Sequence, residues 1–181
     1  MTQPAPASAY HASDGAAYER FLGRWTARLA EGLIDLAAFP ARGDLLEVGC
    51  GTGSLAVAMA QRWPSRRVVG IDIAAPYVAF ARARAAGHGT NPSPTFAVGD
   101  ATALPYRDGE FAGAAAQLVL NFVGDPLAAA CEMRRVVRPV ASPTSRAAAG
   151  GASASAASPR TQTSARYRAS RLTCRPSRPT P

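Results

Sequence analysis

Three carboxylates stand at the ends of short apolar runs: Glu47 in "DLLEVG", Asp72 in "RRVVGID" and Asp100 in "TFAVGD". Between the first two, "GCGTGS" sets Gly49, Gly51 and Gly53 at alternate positions, directly ahead of a helix-forming run. Glycines so placed let the backbone turn tightly and let a ligand approach the main-chain N–H groups of a helix start. Formally, Gly51, Gly53 and Ala56 fit the dinucleotide fingerprint G-x-G-x-x-G/A, with Asp72 at about the distance expected of a ribose-binding acid. Glu47, just before the first glycine, tips the balance the other way. Its carboxylate would repel a pyrophosphate, whereas a ligand's ammonium group would be attracted to it. The sequence has no G-x-x-x-x-G-K, which excludes a P-loop, and no G-x-S-x-G to support a serine nucleophile. His11 and His88 have no cysteine or acidic partner at ligand spacing, so no metal site is expected. Cys50 reads as a small residue of the loop.

The elements that must carry these groups follow from hydrophobic spacing. Asp14 caps a predicted helix reaching about Ala38, with Phe21, Trp25, Leu29, Leu33 and Leu36 on its expected buried face. Phe39 and Pro40 end it. Residues 44–49 read as a buried strand, 54–63 as a helix closed by Pro64, 66–72 as a second strand, 75–86 as a helix and 95–100 as a third strand. "FAGAAAQLVL" (111–120) reads as a fourth strand, weakened by its alanines. Residues 125–138 read as a helix with Asp125 as cap, Pro126 in the first turn, and Leu127, Ala130, Met133 and Val137 as the buried stripe. Its Arg134, Arg135 and Arg138 lie near the C-terminal end, where positive charge is favoured. Strands alternating with helices imply an α/β fold: a parallel sheet covered on both faces, with ligands bound at the carboxyl edge.

Composition bounds the partners. The chain has 181 residues and a formal net charge of +8, with no lysine. Thirteen arginines and all 12 acids precede Pro139, while seven arginines and no acid follow from there. The basicity therefore belongs to the tail, and the body is nearly neutral. The cysteines, Cys50, Cys131 and Cys174, are far apart and odd in number, which argues against a disulfide framework and suits a reducing compartment. The first residues lack the basic and apolar regions of a signal peptide, and the apolar stretch 111–123 is too short for a membrane span. A cytoplasmic protein is expected.

Taken together, "LLEVGCGTGSLA", "VVGIDIAAPYVAFAR", "FAVGDATALPYRDGEFAGAAAQLVLNFVGDP" and "EMRRVVRP" resemble the class I S-adenosylmethionine-dependent methyltransferases. The likeness is greatest to the small-molecule group related to the ubiquinone and menaquinone enzymes, and it covers about residues 15–139. The resemblance implies a Rossmann-like fold, S-adenosyl-L-methionine as cofactor and a small-molecule methyl acceptor. It puts Glu47 toward the methionine amino group, directly or through water, and Gly49, Cys50 and Gly51 under the methionyl and ribose portion. It gives Asp72 the ribose hydroxyls, Ile73 the adenine face, Asp100 the adenine amino group, and Ala101 a backbone N–H toward the base. Gln117 would line the methyl-donor side, and Tyr18 and Arg24 in "YERFLGRW" would close the pocket. No general base is assigned, and Asp108 and Glu110 read as surface charges. An NAD-binding oxidoreductase fragment remains the enzyme alternative. A non-enzymatic binding protein with an Arg-rich, RNA-contacting tail is the other.

The resemblance stops at Pro139, where the family continues with two glycines and a fifth strand. Here Val140 and Ala141 follow, and 38 of the 43 residues from Pro139 onward are Ala, Ser, Arg, Pro, Thr or Gly. Such a segment buries too little apolar surface to offset roughly 1–2 kcal/mol of backbone entropy per residue. Loss of one base from a Pro-Gly-Gly coding run yields Pro-Val-Ala, so the tail reads as a disordered frameshift product. Three divisions are expected: a flexible 1–14, a partial cofactor-binding domain 15–139 and a low-complexity tail 140–181. With only the N-terminal half of the fold present, about four strands, weak cofactor binding and little turnover are expected. The exposed edge of the fourth strand should favour self-association.

Overall fold

The computed structural model describes residues 14–139. His11, nearly all of the expected flexible N-terminus and the tail 140–181 lie outside the described residues. Asp14 caps α1 (Gly15–Tyr18), its carboxylate accepting from the N–H groups of Ala16 and Ala17 at 2.9 and 3.0 Å. A wide π-helical turn, Glu19–Gly23, joins α1 to α2 (Arg24–Ala37), which stops where Ala38 turns left-handed. Then follow β1 (Leu45–Val48), α3 (Ser54–Arg62), β2 (Val68–Asp72), α4 (Ala75–Gly87), β3 (Thr95–Val98), β4 (Gly113–Ala115), a 3-10 turn (Leu120–Phe122) and α5 (Pro126–Val136).

All pairings are parallel and the strand order is β3-β2-β1-β4. The two-residue period of β1 and β2 sorts the core into two layers. Leu45 and Val68 join Leu55, Met59, Val78 and Phe96 under α2, α3 and α4. Leu46, Val48, Val69 and Ile71 face Leu104, Phe111 and Val136 on the side of α5. The expected parallel sheet with helices on both faces is therefore present.

Three expectations need correction. The stripe assigned to the first helix is only partly right: Leu33 packs against the core, but Phe21, Trp25, Leu29 and Leu36 are 77%, 49%, 48% and 82% exposed. Thr26, Ala30 and Ile34 are buried instead, because small residues let α2 approach the start of α3, where the Thr26 and Ser54 hydroxyls bond at 3.0 Å. On α5 and just past it, Met133 and Val137 pack against the core as expected, with Ala129 and Val136 fully buried beside them, while Leu127 is exposed. The fourth strand is three residues, not ten. Phe111 pairs outward with Val137 in an isolated parallel bridge, and the run beyond Ala115 leaves the sheet through Leu118, whose φ is +55°. Cys50 is a free, buried thiol, and Cys174 lies outside the described residues. No helix among the described residues is long and apolar enough to cross a membrane.

Candidate functional site

The groups singled out in the sequence converge at the carboxyl edge of the sheet. β1 runs into Gly49, Gly51 and Gly53, with φ values of +70°, +50° and +82°. The N–H groups of Gly49 and Cys50 both donate to the Ile71 carbonyl, at 2.8 and 3.0 Å, fastening the loop to β2. The loop is then closed by the Asp72 carboxylate. One oxygen accepts from the Gly51 N–H and the other from the Ala74 N–H, both at 2.8 Å. Asp72 is only partly buried, so a carboxylate held rigidly by two main-chain donors still meets solvent beside the loop.

Gly51 and Gly49 differ in a way that marks where a ligand can lie. A Cβ built on Gly51 meets nothing within 4 Å, so its left-handed turn borders open space. A Cβ on Gly49 would run into the Val119 side chain, which the segment after β4 folds over the loop. Next to the open space Ile73 is 73% exposed and Val98 50% exposed, an apolar platform at the ends of β2 and β3. Asp100, exposed just past β3, spends one oxygen on the Thr102 N–H and hydroxyl at 2.8 and 2.9 Å. The Gly99 N–H donates to the Asp72 carbonyl at 3.0 Å and keeps the two strand ends together. Ala101 follows, half-buried against the layer of α5.

Glu47 lies beneath the loop. It is 2% exposed, and one oxygen accepts from the N–H of Ala56, in the first turn of α3, at 2.7 Å. Burial pushes its carboxyl well above the ordinary range; the Ala56 N–H opposes that shift, nearby Asp72 adds to it and Arg84 opposes it. Its carboxyl oxygen thus satisfies one N–H of the first turn of α3 from inside. Cys50 is likewise buried, and burial beside Glu47 and Asp72 pushes its thiol far up, leaving an inert neutral group.

Gln117, two residues past β4, reaches sideways: its side-chain N–H donates to the Thr26 carbonyl on α2 at 2.8 Å, and its Oε1 is buried without a partner. Tyr18 packs on Tyr77 of α4, ring centroids 5.3 Å apart, near the β2–α4 connection. Arg24 stacks on its neighbour Trp25 at 5.0 Å on the exposed side of α2 and is not brought to the edge. Asp108 bonds Arg135, and Glu110 lies near Arg67, both away from the loop. No group of three His, Cys, Asp or Glu comes together among the described residues. A surface depression of about 390 Å³ beside Arg82, Ser93 and Thr95 opens at the start of β3, the opposite end from Asp100. Its arginine is engaged with the Phe96 carbonyl at 2.7 and 3.0 Å.

Sequence reasoning missed one cluster. Arg84 on α4 donates to Glu19 at 2.9 Å and to the Ser54 hydroxyl at 3.0 Å, directly behind the glycine loop. The signal available was an arginine in "FARARA" placed two residues after one that serves the sheet.

Comparison with known proteins gives one consistent result. A family model described as a methyltransferase domain matches residues 45–140. A demethylmenaquinone methyltransferase of Roseiflexus castenholzii is 37% identical over 105 residues, 58% of this chain and 42% of the relative. Among solved structures, a SAM-dependent methyltransferase from Methanosarcina mazei superposes with a TM-score of 0.51 at 28% identity, covering 59% of this chain and 52% of that one. The [4+2]-cyclase SpnF superposes with a TM-score of 0.58 at 31% identity, covering 75% and 48%. The chain spans about half the length of the curated relatives it matches.

Proposed function

The chain belongs to the methyltransferase-domain family, and we propose that its carboxyl edge binds S-adenosyl-L-methionine for methyl transfer to a small-molecule acceptor. The residues present fit that cofactor. Open space over Gly51 lies beside a carboxylate already fixed by two N–H groups. Asp72 has lone pairs to accept from two ribose hydroxyls, Ile73 offers an apolar face to adenine, and Asp100 and Ala101 offer an acceptor and a donor to its edge. Gly51 borders the space for the methionyl and ribose portion, while Gly49 lies under Val119, Cys50 is buried and Gln117 turns to the Thr26 carbonyl. Glu47 serves from below, by fixing α3.

When bound, the cofactor supplies a methyl group on a sulfonium for direct displacement. The chain's contribution is alignment and exclusion of water, and proximity of this kind can supply roughly 7–11 kcal/mol of a barrier.

One observation carries this reading over a dinucleotide: the Ala56 N–H at the start of α3 is taken by Glu47. A pyrophosphate would use the N–H groups of that helix start, and here Glu47 takes one of them. The same reading makes residues 15–139 the cofactor-binding unit of a cytoplasmic protein. It also makes the β4 edge, paired outward only at Phe111 among the described residues, a place for self-association.

Calorimetry of the full chain with S-adenosylhomocysteine and with NAD tests the proposal. Saturable binding of the first and none of the second is expected, with Asp72→Asn weakening it about tenfold or more, as expected for losing a charged hydrogen-bond acceptor. Binding of NAD alone, or of neither, refutes it.

A further inference from the structure

The N-terminal helices are held beside the glycine loop by polar contacts as well as by the buried Ala30 and Ile34. Phe21, Trp25, Leu29 and Leu36 all point outward. Inward, Thr26 sits in a chain of bonds. Its hydroxyl donates to the Gly23 carbonyl and meets the Ser54 hydroxyl, each at 3.0 Å, and its carbonyl accepts from Gln117 at 2.8 Å. Ser54 opens α3 immediately after the loop.

Arg84 joins this chain from α4. Its Nη1 lies 3.0 Å from the Ser54 hydroxyl, 3.5 Å from the Thr52 carbonyl within the loop, and 2.9 Å from the Glu19 carboxylate. The two charged side chains are 19% and 26% exposed, so their attraction is less screened than at the surface. Glu19 belongs to the π-helical turn, and its carboxylate lies so close over Gly23 that a Cβ there would collide with it. Its second oxygen is buried without a partner. An acid that has surrendered solvent and has one cationic partner commits its segment to the place where that cation is held. Turns of this wide type occur often at functional sites.

We propose that Arg84 is a positioning residue for the ligand site. Through Glu19 it docks the N-terminal helices, and through Thr52 and Ser54 it fixes the loop's exit into α3. Ligand affinity at the loop and docking of residues 19–30 are then two readings of one ion pair. This rests on the loop's being the S-adenosylmethionine site.

The test compares the full chain with Glu19→Gln, Arg84→Gln, the double variant and Arg84→Lys. S-adenosylhomocysteine affinity is measured by calorimetry, and backbone hydrogen exchange in residues 24–30 is measured without ligand. Each single glutamine variant should weaken binding about tenfold and the double no more than either single, since coupled residues act as a unit. Arg84→Lys, which keeps the charge, should restore affinity to within about threefold of the parent. Exchange at 24–30 should accelerate in both glutamine variants. Unchanged affinity with only a lowered melting temperature overturns the proposal, as do single effects that multiply in the double. If the unaltered protein binds no S-adenosylhomocysteine, the cofactor reading fails separately. Exchange then decides whether Arg84 holds the helices, and unchanged exchange in Arg84→Gln overturns that too.

Discussion

Gly51→Ala separates what the loop needs for folding from what it needs for a ligand. The residue has φ +50° and no atom within 4 Å of the position a Cβ would take. The added methyl therefore meets no protein atom, and the folding cost is conformational. A left-handed non-glycine residue costs roughly 1–2 kcal/mol, and the reduced freedom of the unfolded chain returns about 0.4–1 kcal/mol. A net loss of about 1 kcal/mol lowers the melting temperature by roughly 2–6 °C for a domain of this size. Ligand binding should suffer more, because the methyl stands in the space a ligand must occupy. Overpacking of that kind costs about 1–3 kcal/mol, or roughly 5- to 150-fold in affinity. The assay is a thermal melt beside calorimetric titration with S-adenosylhomocysteine. Gly49→Ala is the control: its Cβ collides with Val119, so its melting temperature should fall further. Unchanged affinity in Gly51→Ala would show that the ligand does not lie over this residue. A melting temperature as low as that of Gly49→Ala would show that the space is not open.

Two carboxylates should give stability profiles of opposite slope. Burial raises the Glu47 carboxyl, so folding is favoured while it is protonated, and stability falls as pH rises from about 4.3 toward its folded value. Glu47→Gln should therefore lose less stability than the parent over that rise, and an identical pH dependence in urea melts would refute the burial argument. Glu132 is lowered, chiefly by its bond to Arg135 with burial opposing. Its contribution is present above about pH 4.3 and is lost on acidification through the folded value, so Glu132→Gln should flatten the acid limb of the same curve. Arg135→Ala removes bonds to Glu132, Asp108 and the Tyr106 and Leu104 carbonyls. It should destabilise the protein by about 2–3 kcal/mol, and a loss below about 0.5 kcal/mol in denaturant titration would show that this staple carries little.

What the sequence shows well is the set of features fixed by local rules. β1, the alternate glycines and Asp72 were readable because a buried strand, a left-handed turn and a strand-end acid each demand particular residues. The Gly51–Asp72 bond follows from that order. The face of α2 was not readable. Two apolar faces overlap on that helix, and the choice was made by α3, whose Ser54 accepts the small face of Thr26 and Ala30 at close range. The alanine run of β4 carries no signal for where pairing stops; that is set by the turn at Leu118 and by Val119 covering Gly49. Arg84 escaped notice because Arg82 and Arg84 look equivalent in "FARARA". Two residues on a helix are about 200° apart, so one serves the Phe96 carbonyl and the other Glu19.

The position of Glu47 changes the reason for the ligand class while leaving the class intact. From sequence, its carboxylate was expected to meet a ligand's ammonium group. In the fold it is buried and bonded to α3, so its effect on a ligand is exerted through the Ala56 N–H that it removes from the helix start. Asp72 spends the Gly51 and Ala74 N–H groups in the same way. Two main-chain donors of the loop and helix start, those of Gly51 and Ala56, are thus turned inward onto the protein's own acidic side chains. The accessible groups at this sheet edge are acceptor-rich: the partly exposed Asp72 and the exposed Asp100, with apolar Ile73 and Val98 at the same strand ends. An edge of that character selects a ligand that donates hydrogen bonds and presents a flat apolar ring. The nucleoside with a cationic amino-acid chain proposed above meets that description, and the loss of the Gly51 and Ala56 N–H groups disfavours a pyrophosphate.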